Sequence, residues 1–131
     1  MSQRIDVINY LTGLFSEIVP ETHYLKNKNK TIAYPYQTFS LTGEPTHFAG
    51  QGFFIDIDLF DNNKSDVAIE KALSAMMESF NNEPFYQVTD KFLVQIQYDA
   101  DNDVPTGSDT LQRRNIRLYA KFDWRIQNGN Y

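Results

Sequence analysis

From Gln112 to about Gln127 the chain alternates almost without fault. Ile116, Leu118, Ala120, Phe122, Trp124 and Ile126 fall on one side, and Arg117, Tyr119, Lys121, Asp123 and Arg125 on the other. A period of two is the mark of a strand with one buried and one wetter face. The fold must therefore supply a sheet on which this strand lies with its apolar side on the core.

Gly52 to Phe60 repeats the pattern, with Phe53, Ile55, Ile57 and Leu59 on one face and Phe54, Asp56, Asp58 and Phe60 on the other. Tyr36 to Leu41, rich in aromatic and β-branched residues, precedes it across a segment holding Gly43, Pro45 and Gly50, and the two are expected to be antiparallel strands. A further strand runs through Phe92, Val94, Ile96 and Tyr98. Two helices complete the set. Ser2 to Val19 places Ile5, Ile8, Leu11, Leu14, Phe15 and Ile18 on a stripe and stops at Pro20. Ile69, Leu73, Met76, Met77 and Phe80 define the second helix, capped by Asn63 or Ser65 and ending near Asn81, Asn82 and Pro84. The expected fold is α+β over a single domain, 1–131: helix, two strands, helix, two strands. It has a mainly antiparallel four-stranded sheet in the order 1-2-4-3 and both helices packed on one face. Charge supports that order, because Asp56 and Asp58 on the second strand can pair with Arg117 and Lys121 on the fourth, at about 0.2–1 kcal/mol per pair.

The 131-residue chain has no cysteine and only two histidines, His23 and His47. Disulfide scaffolds, thiol catalysis and cysteine zinc sites are thereby excluded. Neither histidine has a serine or cysteine in a strained elbow beside it, and no phosphate-binding glycine loop occurs. No catalytic residue, metal site or cofactor is expected, and the protein is read as not an enzyme. The net charge of −5 argues against a protein that coats nucleic acid. With no membrane-spanning run or secretory segment, the two N-x-[ST] matches, at Asn29 and Asn63, read as turn and cap chemistry in a protein made and kept in a cytoplasm.

Asp56 and Asp58 stand about 7 Å apart on one strand face, a spacing that glycoside hydrolysis can use, but pairing with Arg117 and Lys121 is the simpler account. Asp99, Asp101 and Asp103 begin like a calcium loop, yet Val104 and Thr110 stand where a glycine and a glutamate are needed. With Asp109 they are expected to form a solvated acidic loop from Asp99 to Asp109. Arg113, Arg114, Arg117, Lys121 and Arg125 follow with Tyr119 among them, which suits either single-stranded nucleic acid or a protein partner. Lys26, Lys28 and Lys30 form an exposed basic run, either a docking loop or a solubilising one. Tyr119, Phe54 and Phe60 are left on the outer sheet face, facing a neighbour.

An amphipathic first helix precedes Tyr34-Pro35-Tyr36-Gln37-Thr38-Phe39. Phe54 to Asn62 then leads into Asp66-Val67-Ala68-Ile69-Glu70, and a hairpin closes with the strand Arg114 to Ile126. In this order the chain resembles the tail terminator, or tail completion and head–tail joining, proteins of long-tailed bacteriophages over nearly its whole length. The resemblance implies a structural virion protein of the tail or neck, assembled in the host cytoplasm. Such a subunit forms a hexameric ring with itself, caps the tail tube, stops its polymerisation and presents a surface for head attachment. Its implied partners are the tail tube protein and the head–tail connector protein, with DNA passing through the lumen without specific binding and no membrane. On that reading Asp99, Asp101, Asp103 and Asp109, with Arg113 and Arg114, are candidate interface or lumen residues. Lys26, Lys28 and Lys30 are the candidate partner-docking loop. Alternatives are a head-completion stopper or minor tail protein, a small nucleic-acid-binding module, and a small hydrolase built on Asp56 and Asp58.

Overall fold

A computed structural model describes residues 3–45, 50–81 and 85–124. Its elements are α1 (Gln3–Ser16), β1 (Thr22–Tyr24), β2 (Tyr36–Gly43), β3 (Gly50–Asn62), α2 (Val67–Asn81), β4 (Phe85–Val88), β5 (Leu93–Val104) and β6 (Leu111–Asp123). His47, Asn82, Pro84, Arg125, Ile126 and Gln127 lie outside the described residues.

The six strands form one mixed sheet in the order β1-β2-β3-β6-β5-β4. β1 runs parallel to β2, and the other neighbours are antiparallel. This corrects the expected four-stranded sheet with helices packed on one face: the chain is mostly β, and its six-stranded sheet is a half-barrel accompanied by two helices. The two additional strands are the edges. Each is only three or four residues long, too short for a period of two to stand out in the sequence.

β3 and β6 carry the alternation into the fold. Phe53, Ile55, Ile57 and Leu59 meet Ile116, Leu118, Ala120 and Phe122 in one core, with Ile57 directly opposite Ile116. α2 adds Ile69, Leu73, Met76 and Phe80 at helical spacing, and its first turn is set by Ser65 Oγ accepting from the Val67 N–H at 3.2 Å. In α1 the fully buried positions are Val7, Leu11 and Phe15. Ile8, Leu14 and Ile18 are half-buried and Ile5 is exposed, so the stripe is turned from the expected one. Edge-to-face ring contacts tie α1 to its surroundings: Phe15 to Phe39 of β2 at 5.4 Å and to Phe80 of α2 at 6.0 Å, and Tyr10 to Phe92, just before β5, at 5.2 Å.

The acidic segment is not the expected loop. Asp99 to Asp103 is strand, the outer half of β5, with a register shift between Tyr98 and Ala100. Ala100 stands opposite Arg117 and Asp103 opposite Arg114, so β5 and β6 make one long hairpin arm. The turn begins only at Pro105, and Asp109 lies within it, exposed. The carboxylates on the strand are spread along an arm rather than gathered in a loop.

Candidate interaction surface

The outer face of β2, β3 and β6 is organised by register. Because Phe60 lies opposite Arg113 and Asp56 opposite Arg117, each arginine reaches a ring and an acid on neighbouring strands. Arg113 places its guanidinium 5.4 Å from the centre of the Phe60 ring and pairs with Asp58 Oδ1 at 3.2 Å. Asn115 Nδ2 donates to the same oxygen at 3.1 Å. Arg117 lies 4.1 Å over Phe54 and 3.8 Å from Asp99. Phe54 packs on Tyr119 at 5.0 Å, and the Tyr119 hydroxyl donates to Glu44 Oε1 at 2.5 Å. On the other side of Phe60, Tyr36 stacks at 4.9 Å and Tyr34 follows at 5.6 Å. A row of rings and guanidinium groups thus crosses three strands, with Asp58 hydrogen-bonded to Arg113 and Asp99 near Arg117.

Three tyrosine hydroxyls are held in their neutral form: Tyr119 and Tyr36 on this face, and Tyr98 on the core side of β5. The hydrogen bond to Glu44 raises the Tyr119 pKa above its ordinary value, with burial adding to it. The hydrogen bond to Asp101 pushes Tyr98 up to about 12, followed by burial and the nearby charges of Asp101 and Asp99. Burial raises Tyr36.

The expected cross-strand pairing takes a different form. Asp58 is held by Arg113 rather than by Arg117 or Lys121. Arg117 is opposite Asp56, as its strand position required, but its guanidinium turns to Phe54 and Asp99. Lys121 is opposite Gly52 and exposed, and neither it nor Asp56 makes an ion pair among the described residues. Arg114 points to the core face instead. Its Nε stands 2.9 Å from Glu70 Oε1 on α2 and 3.1 Å from Asp103 Oδ1 on β5, joining helix, hairpin arm and β6. Lys26, Lys28 and Lys30 are exposed in the segment linking β1 to β2, far in sequence from the arm. That segment is braced by the Asn29 N–H donating to Asn27 Oδ1 at 2.9 Å and by Asn29 Nδ2 donating to Glu21 at 3.3 Å. Tyr34, Tyr36 and Glu44 were not among the expected contact residues. The Tyr-Pro-Tyr motif was the available signal for the two tyrosines, while Glu44 required the register of β2 on β3.

Among the described residues no group of three or more His, Cys, Asp or Glu is placed to hold a metal ion. No helix of the described residues is long and apolar enough to cross a membrane.

What the architecture defines is a small half-barrel domain with an extended hairpin arm and an aromatic, arginine-bearing outer face. No family model matches the chain, and no curated protein matches it. Among solved structures it is similar to a chain in "Virion of native gene transfer agent (GTA) particle". The TM-score is 0.57 at 8% identity, covering 84% of this chain and 84% of that one. At that identity the likeness is one of fold.

Proposed function

We propose that this chain is a structural protein of a phage-like virion, and specifically a tail-terminator subunit that caps the tail tube as a hexameric ring and presents a surface for head attachment. The observation that carries the reading is the fold shared with a chain of a gene transfer agent virion across most of both molecules. The outer face supports it chemically. Rings and arginines, with few lysines among them, are the composition of a protein-binding surface. Arg113 and Arg117 are already engaged by Asp58 and Asp99, which suits a partner that reads shape and hydrogen bonds better than one that must be neutralised along a phosphate backbone. On this reading the subunit's partners are its own copies, the tail tube protein and the head–tail connector, and the acidic arm from Asp99 to Asp109 faces the tube or the lumen, where negative charge repels passing DNA.

The test is addition of the purified protein to tail tube protein during polymerisation. Tubes that stop growing, with a ring at one end by electron microscopy, are expected. Tubes that elongate at their usual rate with bare ends overturn the terminator assignment, and binding to filled heads in place of tubes favours a head-completion stopper.

A further inference from the structure

The two edges of the sheet carry complementary surfaces. At one edge, β4 has a sheet partner on one side only, and its outward residues Tyr86 and Val88 are 59% and 52% exposed. A free edge with apolar side chains is a template for another extended segment. Alongside it, α1 and β4 enclose an open groove of about 540 Å³, bordered by Asn9, Tyr10, Gly13, Glu17, Tyr86 and Gln87. The Tyr10 hydroxyl donates to Gln87 across its floor. Glu17 gives the groove a negative charge. Gly13 lies in the interior of α1, where glycine is the least favoured residue after proline. A Cβ built there meets nothing within 4 Å, so packing inside the subunit does not require the glycine.

At the opposite edge, beyond β1, the segment from Leu25 to Tyr34 is nearly all exposed and has no strand of its own. It displays Leu25, Ile32 and Tyr34 as exposed apolar groups. Lys26, Lys28 and Lys30 lie between them without ion pairs among the described residues. Positive charge on one edge matches negative charge on the other, and both edges expose apolar side chains, those of β4 on the outer sheet face beside the groove.

We infer that copies of this chain join head to tail, the Leu25–Tyr34 segment of one copy lying in the α1–β4 groove of the next, with its lysines toward Glu17 and its backbone along the free edge of β4. Such a contact is heterologous, using two different patches, and its repetition gives a ring where the rotation between copies closes. The inference rests on the ring reading above and specifies the surfaces that build it. It also gives the bare helix glycine a use, since a side chain at position 13 would fill space that the incoming segment needs.

Two variants separate the patches: K26E/K28E/K30E disables the segment and Gly13→Leu fills the groove. Sedimentation and native mass measured over a concentration series are expected to show rings for the wild type. Each variant alone should associate at least tenfold more weakly, with far-ultraviolet circular dichroism unchanged. An equimolar mixture of the two retains one working groove and one working segment, and is expected to stop at 1:1 pairs. Rings formed by either variant at wild-type concentrations, or a wild type that stays monomeric in solution and on tubes, overturn the inference. Tube capping is scored in the same preparations: capping by both variants as efficiently as by the wild type removes only this contact, whereas bare tubes with the wild type remove the terminator assignment itself.

Discussion

Replacing Arg114 by alanine tests whether the hairpin arm is held to the body of the protein by the contacts described. The Arg114 side chain is 13% exposed, while its partners Glu70 and Asp103 are 46% and 80% exposed. A buried charge-assisted hydrogen bond contributes roughly 1.5–3 kcal/mol and an exposed ion pair about 0.2–1 kcal/mol. The half-exposed Glu70 pair therefore falls near 1 kcal/mol, and the Asp103 pair, open to water and salt, near 0.3 kcal/mol. Loss of the methylene stem beside the core adds about 1 kcal/mol, a fraction of its full transfer value. Arg114→Ala is thus expected to cost about 2 kcal/mol in urea unfolding, with an unchanged slope. Double-mutant cycles divide that figure: coupling of about 1 kcal/mol between Arg114 and Glu70, and a smaller coupling to Asp103 that disappears at high salt. Amide exchange should quicken from Asp99 to Val104 more than in β3. A coupling to Glu70 below about 0.3 kcal/mol, or an arm whose exchange is unaltered, refutes the clamp.

Other perturbations probe the remaining features. Gly13→Ala is expected to raise the stability of the isolated subunit by about 0.5–1 kcal/mol, read from thermal unfolding, because it removes a helix-interior glycine and meets no neighbour; destabilisation would mean that the subunit itself needs the space. Gly52 lies beneath the Tyr119–Glu44 pair, and a Cβ there contacts both side chains. Gly52→Ala should therefore part them and return the Tyr119 ionisation toward its ordinary value, measured by tyrosinate absorbance against pH. Tyr10, pushed up to about 12 by burial and then by Glu17, and Tyr98, pushed up to about 12 by its bond to Asp101, make stability fall in alkali. Their folded values lie above the unfolded value of 10.0, so the folded chain holds protons that the unfolded one releases. The contribution is whole below about pH 10 and is lost as pH rises toward 12; stability that stays flat across that window would contradict the assignment.

Much of the core was legible because burial imposes a period. The alternations in β3 and in β6 as far as Trp124, and Ile69, Leu73, Met76 and Phe80 of the α2 stripe, are buried side chains of the core, whereas Met77 is half-buried. α1 shows where periodicity stops deciding. Ile5–Ile8 and Val7–Leu11–Phe15 are overlapping helical stripes, and only the sheet beneath the helix selects the second. The outer half of β5 was illegible for a different reason. Asp99 to Asp103 has no apolar face and poor strand propensity, yet it is strand because Arg114 and Arg117 on β6 stand across from it. The edge strands β1 and β4 are too short to announce themselves, and with them the count and parallel pairing of the sheet were lost.

The interaction surface was half visible for a related reason. Side-chain alternation assigns Phe54, Phe60 and Tyr119 to the outer face from sequence alone, but which arginine meets which ring depends on register, and a change of two residues exchanges every partner. In the structure that register gives Arg113 to Phe60 and Asp58, and Arg117 to Phe54 and Asp99. Each cation has its charge answered within the subunit while its ring contact stays half-exposed. A partner docking here need not bring a compensating charge, and it encounters rings and guanidinium groups already held in one arrangement, which lowers the ordering cost of association. The lysines from Lys26 to Lys30 are the opposite case: exposed, without ion pairs among the described residues and on flexible stems, they speed a salt-sensitive encounter and leave the fixed fit to the apolar groups and backbone of their segment. One subunit therefore presents a preorganised face suited to a lasting contact and a charged segment suited to capture. Capture sets how soon a partner arrives, and a preorganised face sets how long it stays.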